Sequence, residues 1–142
     1  MELKKLFTVV AAITLCLLLL PFVQLKGSKQ PFDYRKVSNV EECKKFLEEL
    51  GWESDETSAE VKSTVLPTEF DSVYSQYNAL QLTQGTDLRK YAGKNVIVYT
   101  LPVLNYAGVS EPVFATVITC EGVVIGGDVH STKMGGFMHA LK

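Results

Sequence analysis

One two-residue turn constrains this chain more than any other feature. In "PVFATVITCEGVVIGGDVHS", Pro112 to Ser131, two runs rich in β-branched residues flank Glu121-Gly122 with nothing else between them. Such an acidic–glycine pair suits turns whose twist matches that of paired strands, so the segment predicts a tight hairpin. A third run, "NVIVYTLPVL", precedes it across the loop Asn105 to Glu111 and completes an antiparallel meander. Pro102 has no N–H to give a ladder, which places an edge or a bulge at that point of the first strand.

Upstream, "SNVEECKKFLEELGW" carries helix signals. Ser38 followed by Glu41 resembles a capping box. Val40, Cys43, Phe46, Leu47 and Leu50 share one face, and Gly51 stands where a helix stops. "AEVKSTVLP" alternates as a strand ending at Pro67. In "TEFDSVYSQYNALQLTQG" the residues Phe70, Val73, Tyr74, Tyr77 and Leu80 fall at helical spacing, with Gly85 as the stop. "TDLRKYAGK" is rich in turn residues. At the C-terminus Met134, Phe137, Met138 and Leu141 recur at i, i+3, i+4 and i+7, which predicts a short last helix capped by Ser131 or Thr132. The fold expected is α+β: two main helices on an antiparallel sheet of three to four strands that ends in a meander, then the short C-terminal helix.

The N-terminus is of another kind. Leu6 to Leu25 holds twenty residues without a charge. At about 1.5 Å per residue a helix of that length matches the hydrocarbon core of a bilayer. Small residues at cleavage spacing are missing from "PFVQLKGSKQ", which favours an uncleaved anchor over a removed signal. Residues 1–25 are therefore read as a membrane anchor, 26–38 as a linker and 39–142 as one domain. Lys26, Lys29, Arg35 and Lys36 follow the span, and the positive-inside rule taken literally keeps the domain in the cytoplasm. The very short tail before the span favours export, and an extracytoplasmic domain is the expectation. From Pro31 onward ten Lys and Arg face fifteen Asp and Glu, a net charge of −5, and eight of the acids lie within Glu41 to Glu60. That balance excludes nucleic acid as a partner. Cys43 and Cys120 can form a disulfide if the domain is exported, or stand as two separate core thiols.

Chemistry-bearing residues gather at the end of the hairpin. The two-residue turn places Asp128 opposite Ala115 and His130 opposite Val113. Asp128 and His130 then share a face with Val124, Val117 and Thr119, while Cys120 points to the other, which leaves no converging metal ligands. Ser131 adjoins His130, but neighbours on a strand diverge, so the two make no nucleophile–base pair. His139 falls off the apolar stripe of the last helix and reads as a surface residue. Gly126 and Gly127 inside a strand mark a bulge or a close approach, with the Tyr99 ring as the expected cover. The meander is apolar on both faces, with Ile97, Leu101 and Val103 on the Asp128 side. Two helices are expected on one face, and the terminal helix or a second chain on the other.

Four segments together resemble the domain-of-unknown-function family 4830: "FLEELGW", "PTEFDSVYSQYNALQ", "GTDLRKYAGKNVIVYTLPVLNY" and "VVIGGDVHSTKMGGFMHAL". The resemblance runs from about Val40 to Leu141. It implies a small α+β domain, often anchored or secreted and found mainly in Firmicutes, with no assigned activity and no catalytic residues to carry over. Cysteine often stands in that family at the position of His130.

The function expected is binding or protein interaction, with Gly126, Gly127, Asp128, His130 and Tyr99 as candidate contacts. Catalytic residues, metal ligands and cofactors are not expected. Partners are the membrane, through residues 6–25, and a protein or a second copy of the chain. The alternative is a small hydrolase or metal-dependent enzyme using Asp128 and His130.

Overall fold

A computed structural model describes residues 35–142 of the chain. The run read as a membrane anchor and most of the expected linker lie outside the described residues. Helix α1 spans Val40–Glu49, strand β1 Glu60–Val65 and helix α2 Ser72–Thr83. A 3-10 turn at Leu88–Tyr91 leads into β2 (Asn95–Pro102), β3 (Val113–Cys120), β4 (Val123–Ser131) and the short β5 (Met138–His139). The strands form one antiparallel sheet in chain order, β1 to β5. The fold is α+β, with five strands among the described residues where three to four were expected.

Local chemistry accounts for the elements. Asn39, not Ser38, caps α1: its side chain accepts from the Glu42 N–H at 2.8 Å, and Glu42 reaches back to the Ser38 N–H at 2.7 Å. The pair resembles a capping box one residue later than expected, except that Glu42 takes the N–H of Ser38 and not that of the cap residue Asn39. Asp71 caps α2 by accepting from the Tyr74 N–H. Glu121 and Gly122 both take positive φ, 51° and 76°, which makes the predicted two-residue turn a type I′ turn. Pro102 lies inside the sheet, but its ladder partner is Phe114 of β3, and β1 has already ended at the Glu60–Thr100 pair. Its missing N–H therefore interrupts nothing.

The expected C-terminal helix is absent. Gly135 takes a φ of +72°, Gly136 N–H closes a turn onto Lys133 O at 2.8 Å, and the chain returns as β5 against Val129 and His130. Paired glycines weaken a helix, and Ser131 Oγ accepts from the Phe137 N–H instead of capping one. Met134, read as part of an inward stripe, is 99% exposed. At the other end, Val37 is buried, its N–H donates to Gly122 O, and Lys36 bridges to Val123. The fold thus reaches back into the segment read as linker.

The two helices lie on opposite faces of the sheet, not on one. Cys43, Phe46 and Leu47 of α1 pack with Tyr99, Leu101, Val103, Ala115, Val117 and Val129. Phe70, just before the cap of α2, and Tyr77 within the helix join Leu88, Val96, Ile118, Cys120 and Ile125 in a second cluster. Alternation along β2 sends odd-numbered residues to α1 and even-numbered ones to α2. Ile97, Leu101 and Val103 accordingly face α1. Cys43 and Cys120 are free, buried thiols in different clusters, so the disulfide considered above is not made. Burial pushes the Cys43 thiol up to about 12, which leaves it inert as a nucleophile.

Candidate functional site

The register of the hairpin decides what the Asp128 stretch can do. Near the turn the pairs are those expected, Cys120 with Val123 and Thr119 with Val124. Ile125 is then an extra residue, and from Ile118–Gly126 onward the pairing is shifted by one. Asp128 lies opposite Thr116, not Ala115, and His130 opposite Phe114, not Val113. A one-residue bulge turns every later side chain to the other face. Asp128 and His130 consequently point toward α2, on the side of Ile118 and Cys120. Cys120 shares their face but sits at the far end of the strand. Among the described residues no group of three or more His, Cys, Asp or Glu is placed to hold a metal ion.

Asp128 is buried, 2% exposed, and both carboxylate oxygens are used. The Tyr77 hydroxyl, reaching down from α2, donates to Oδ2 at 2.6 Å. His130 Nδ1 lies 2.7 Å from Oδ1. A carboxylate only accepts, so Nδ1 carries a proton, and the ring is held edge-on to the carboxylate with Phe114 stacked 6.1 Å away. The hydrogen bond that His130 donates to Asp128 raises the affinity of the ring for a proton, against the opposing effect of partial burial. Burial, then the Asp128 charge, pushes the Tyr77 hydroxyl well above its ordinary value, so it stays a donor.

The glycine pair is explained by what touches it. A Cβ on Gly126 would stand 2.7 Å from Gln81 Oε1, and one on Gly127 would stand 2.2 Å from Thr116 O and 2.6 Å from Leu141 Cδ1. The close approach was legible, but its occupants are α2 and the C-terminal Leu141. Tyr99 is buried on the α1 side, away from Asp128 and His130. At Gly127 the edge of β4 is covered by side chains: its N–H donates to Gln81 Oε1 at 2.8 Å, and its C=O accepts from Gln84 Nε2 at 2.7 Å. Gln84 Oε1 also takes the Leu141 N–H at 3.0 Å. Asn78 Oδ1 accepts from the Leu88 N–H at 2.7 Å.

These contacts turn α2 in an unexpected direction. Asn78 and Gln81 are its buried residues, at 1% and 0% exposure, while Val73 is 70% exposed and Tyr74 and Leu82 also face outward. The residues at helical spacing are split: Phe70 and Tyr77 pack inward, and Val73 does not. Beside it runs an open groove of about 390 Å³ lined by Val73, Gln76, Tyr77, Leu80 and Met138. Tyr77 joins the two features, since its ring lines the groove and its hydroxyl ends on Asp128.

The family model for Domain of unknown function (DUF4830) matches residues 46–129, more than half of the chain. The chain belongs to this family. No curated protein and no solved structure matches it. The stretch matched by the DUF4830 model runs from Phe46 of α1 through Val129 of β4, and so takes in Tyr77, Gln81, Gly126, Gly127 and Asp128. His130 lies one residue beyond it.

A second aromatic cluster went unread in the sequence because its members are far apart in the chain. Trp52, Tyr106, Phe137 and His139 stack at the β5 end, with Tyr106 and Phe137 centroids 4.8 Å apart. His139 is not a free surface residue: Nδ1 donates to Ala140 O at 2.6 Å, and Nε2 meets the Tyr106 hydroxyl at 2.9 Å. Trp52 Nε1 donates to Leu141 O at 2.7 Å, which ties the C-terminus to α1's end of the fold.

Proposed function

We propose that this DUF4830 domain is a protein-binding module, tethered to a membrane by residues 6–25 and carried on its outer side. Its docking face is the groove between α2 and β5, and its partner presents an apolar side chain or short apolar segment. The observation that carries the reading is the inverted α2. A helix whose amides are buried and whose valine and leucine face outward has its apolar surface placed for a partner. The Tyr77–Asp128 contact fixes the floor of that groove.

A photo-reactive residue at Val73 of the full chain, activated in intact cells, tests this. The reading expects one defined cross-linked protein, identified by mass, that disappears with Leu80→Asp and does not form from Lys45 on the outer face of α1. Equal labelling from both helices, or a product indifferent to Leu80→Asp, contradicts it. A membrane-impermeant maleimide applied to a Met134→Cys variant in unbroken cells tests the placement, because Met134 is fully accessible. Labelling only after lysis sinks the extracytoplasmic assignment.

A second reading rests on the 2.7 Å contact between Asp128 and His130. A carboxylate that orients an imidazole is half of a general-base arrangement, and a water or metal-bound water would be its nucleophile. Ester or phosphoester hydrolysis by the full chain, abolished by His130→Ala, supports it; hydrolysis untouched by that change removes it.

A further inference from the structure

We propose that β1 is a self-association edge: two copies of the chain join β1 to β1 in antiparallel order about a twofold axis at Val61. Backbone parity shows which groups are on offer. The Leu66 N–H donates to Lys94 O at 3.0 Å, and Leu66 O accepts from the Gly93 N–H at 2.9 Å, so Leu66 turns toward β2. Alternation gives Thr64, Lys62 and Glu60 the same direction. Val61, Ser63 and Val65 therefore point their N–H and C=O groups out of the sheet. All six residues of β1 are exposed, Val61 at 51%, and β1 is the first strand of the sheet with no described strand beyond it. Such a row of backbone groups is a template for another strand.

The side chains choose the occupant. Antiparallel pairing sets outward residues opposite outward residues, which leaves few registers for two copies. Centred on Lys62, two ammonium groups face each other. Centred on Ser63, Lys62 meets Thr64 and no charges pair. Centred on Val61, Glu60 of each copy lies opposite Lys62 of the other, and the two Val61 side chains meet. Among the described residues neither Glu60 nor Lys62 has an ion-pair partner. Charge complementarity thus selects a second copy, since the chain's own β1 supplies both reciprocal pairs at once.

Sedimentation equilibrium of the full 142-residue chain in a non-ionic detergent tests it. A dimer is expected. Glu60→Lys and Lys62→Glu, made singly, each set like charges opposite one another twice and should weaken dimerisation about tenfold or more. The double variant exchanges the charges, keeps their reciprocity and should restore the dimer. Val61→Pro removes an outward donor without touching the β1–β2 ladder, and should give monomers with an unchanged circular dichroism spectrum. A wild-type chain that stays monomeric overturns the proposal. So does a dimer indifferent to the single reversals, or one the double variant fails to restore.

Discussion

The two faces of the sheet are held by different physics. On the α1 side, Cys43, Phe46 and Leu47 sit in an apolar cluster with valines and leucines of three strands, and the helix turns its glutamates and lysines outward. On the α2 side the apolar cluster is smaller, and the helix is fastened by directional contacts: Tyr77 to Asp128, Gln81 and Gln84 to Gly127, Asn78 to Leu88. Burial without direction holds α1. Hydrogen bonds hold α2, and they leave its valine and leucine side chains outside. A helix anchored by its polar residues has an apolar surface to present.

The comparison breaks first at its extremes. Leu47→Ala should lower unfolding stability by about 2–5 kcal/mol, read by chemical denaturation, because the side chain is fully buried. On the other face the largest loss should come from a polar change. Asp128→Ala strands the Tyr77 hydroxyl and the His130 N–H, and should cost about 3 kcal/mol. Tyr77→Phe, which removes one bond to a buried carboxylate and leaves the ring, should cost about 1.5–3 kcal/mol. If Asp128→Ala and Tyr77→Phe both prove neutral, α2 is not held by its hydrogen bonds and the contrast between the two faces fails.

The pH dependence sharpens the contrast. His130 has a folded-state proton affinity raised above the unfolded one, mainly by its hydrogen bond to Asp128. Its contribution is then fully present below the ordinary histidine value near 6.5 and is lost as pH rises through the higher folded value. Unfolding midpoints measured from pH 5 to 9 should fall across that window in the wild type, relative to His130→Asn. The effect should be modest, since the ring is partly exposed. Smallest of all is Leu82→Ala on the outer side of α2, expected within about 0.5 kcal/mol of wild type.

Much of this architecture can be read from residues alone. The Glu121-Gly122 turn, the meander, both helices and the glycine close approach follow from turn chemistry and period. The bulge at Ile125 does not, because nothing in "VVIGGD" says which residue is extra, and one residue exchanges the faces of Asp128 and His130. The C-terminal stripe misled because a helical spacing of four residues also fits a turn and a short strand; Gly135-Gly136 was the better signal. The orientation of α2 was hidden for a different reason. Its apolar residues occur nearly all round, and the choice of inner face was made by amides whose partners, Gly127 and Leu88, lie elsewhere in the chain. The aromatic cluster at Trp52 and His139 is likewise a product of topology.

The orientation of α2 is the point on which the account rests, and a pair of substitutions measures it directly. Val73→Asp and Gln81→Leu, compared in the full chain by denaturation, reverse the usual expectation for a valine and a glutamine. Val73→Asp is expected within about 0.5 kcal/mol of wild type, and Gln81→Leu is expected to lose about 1–3 kcal/mol because the buried Gly127 N–H loses its acceptor. The opposite order, a damaging aspartate at 73 and a neutral leucine at 81, would mean that α2 packs its apolar stripe inward and has no face to offer a partner.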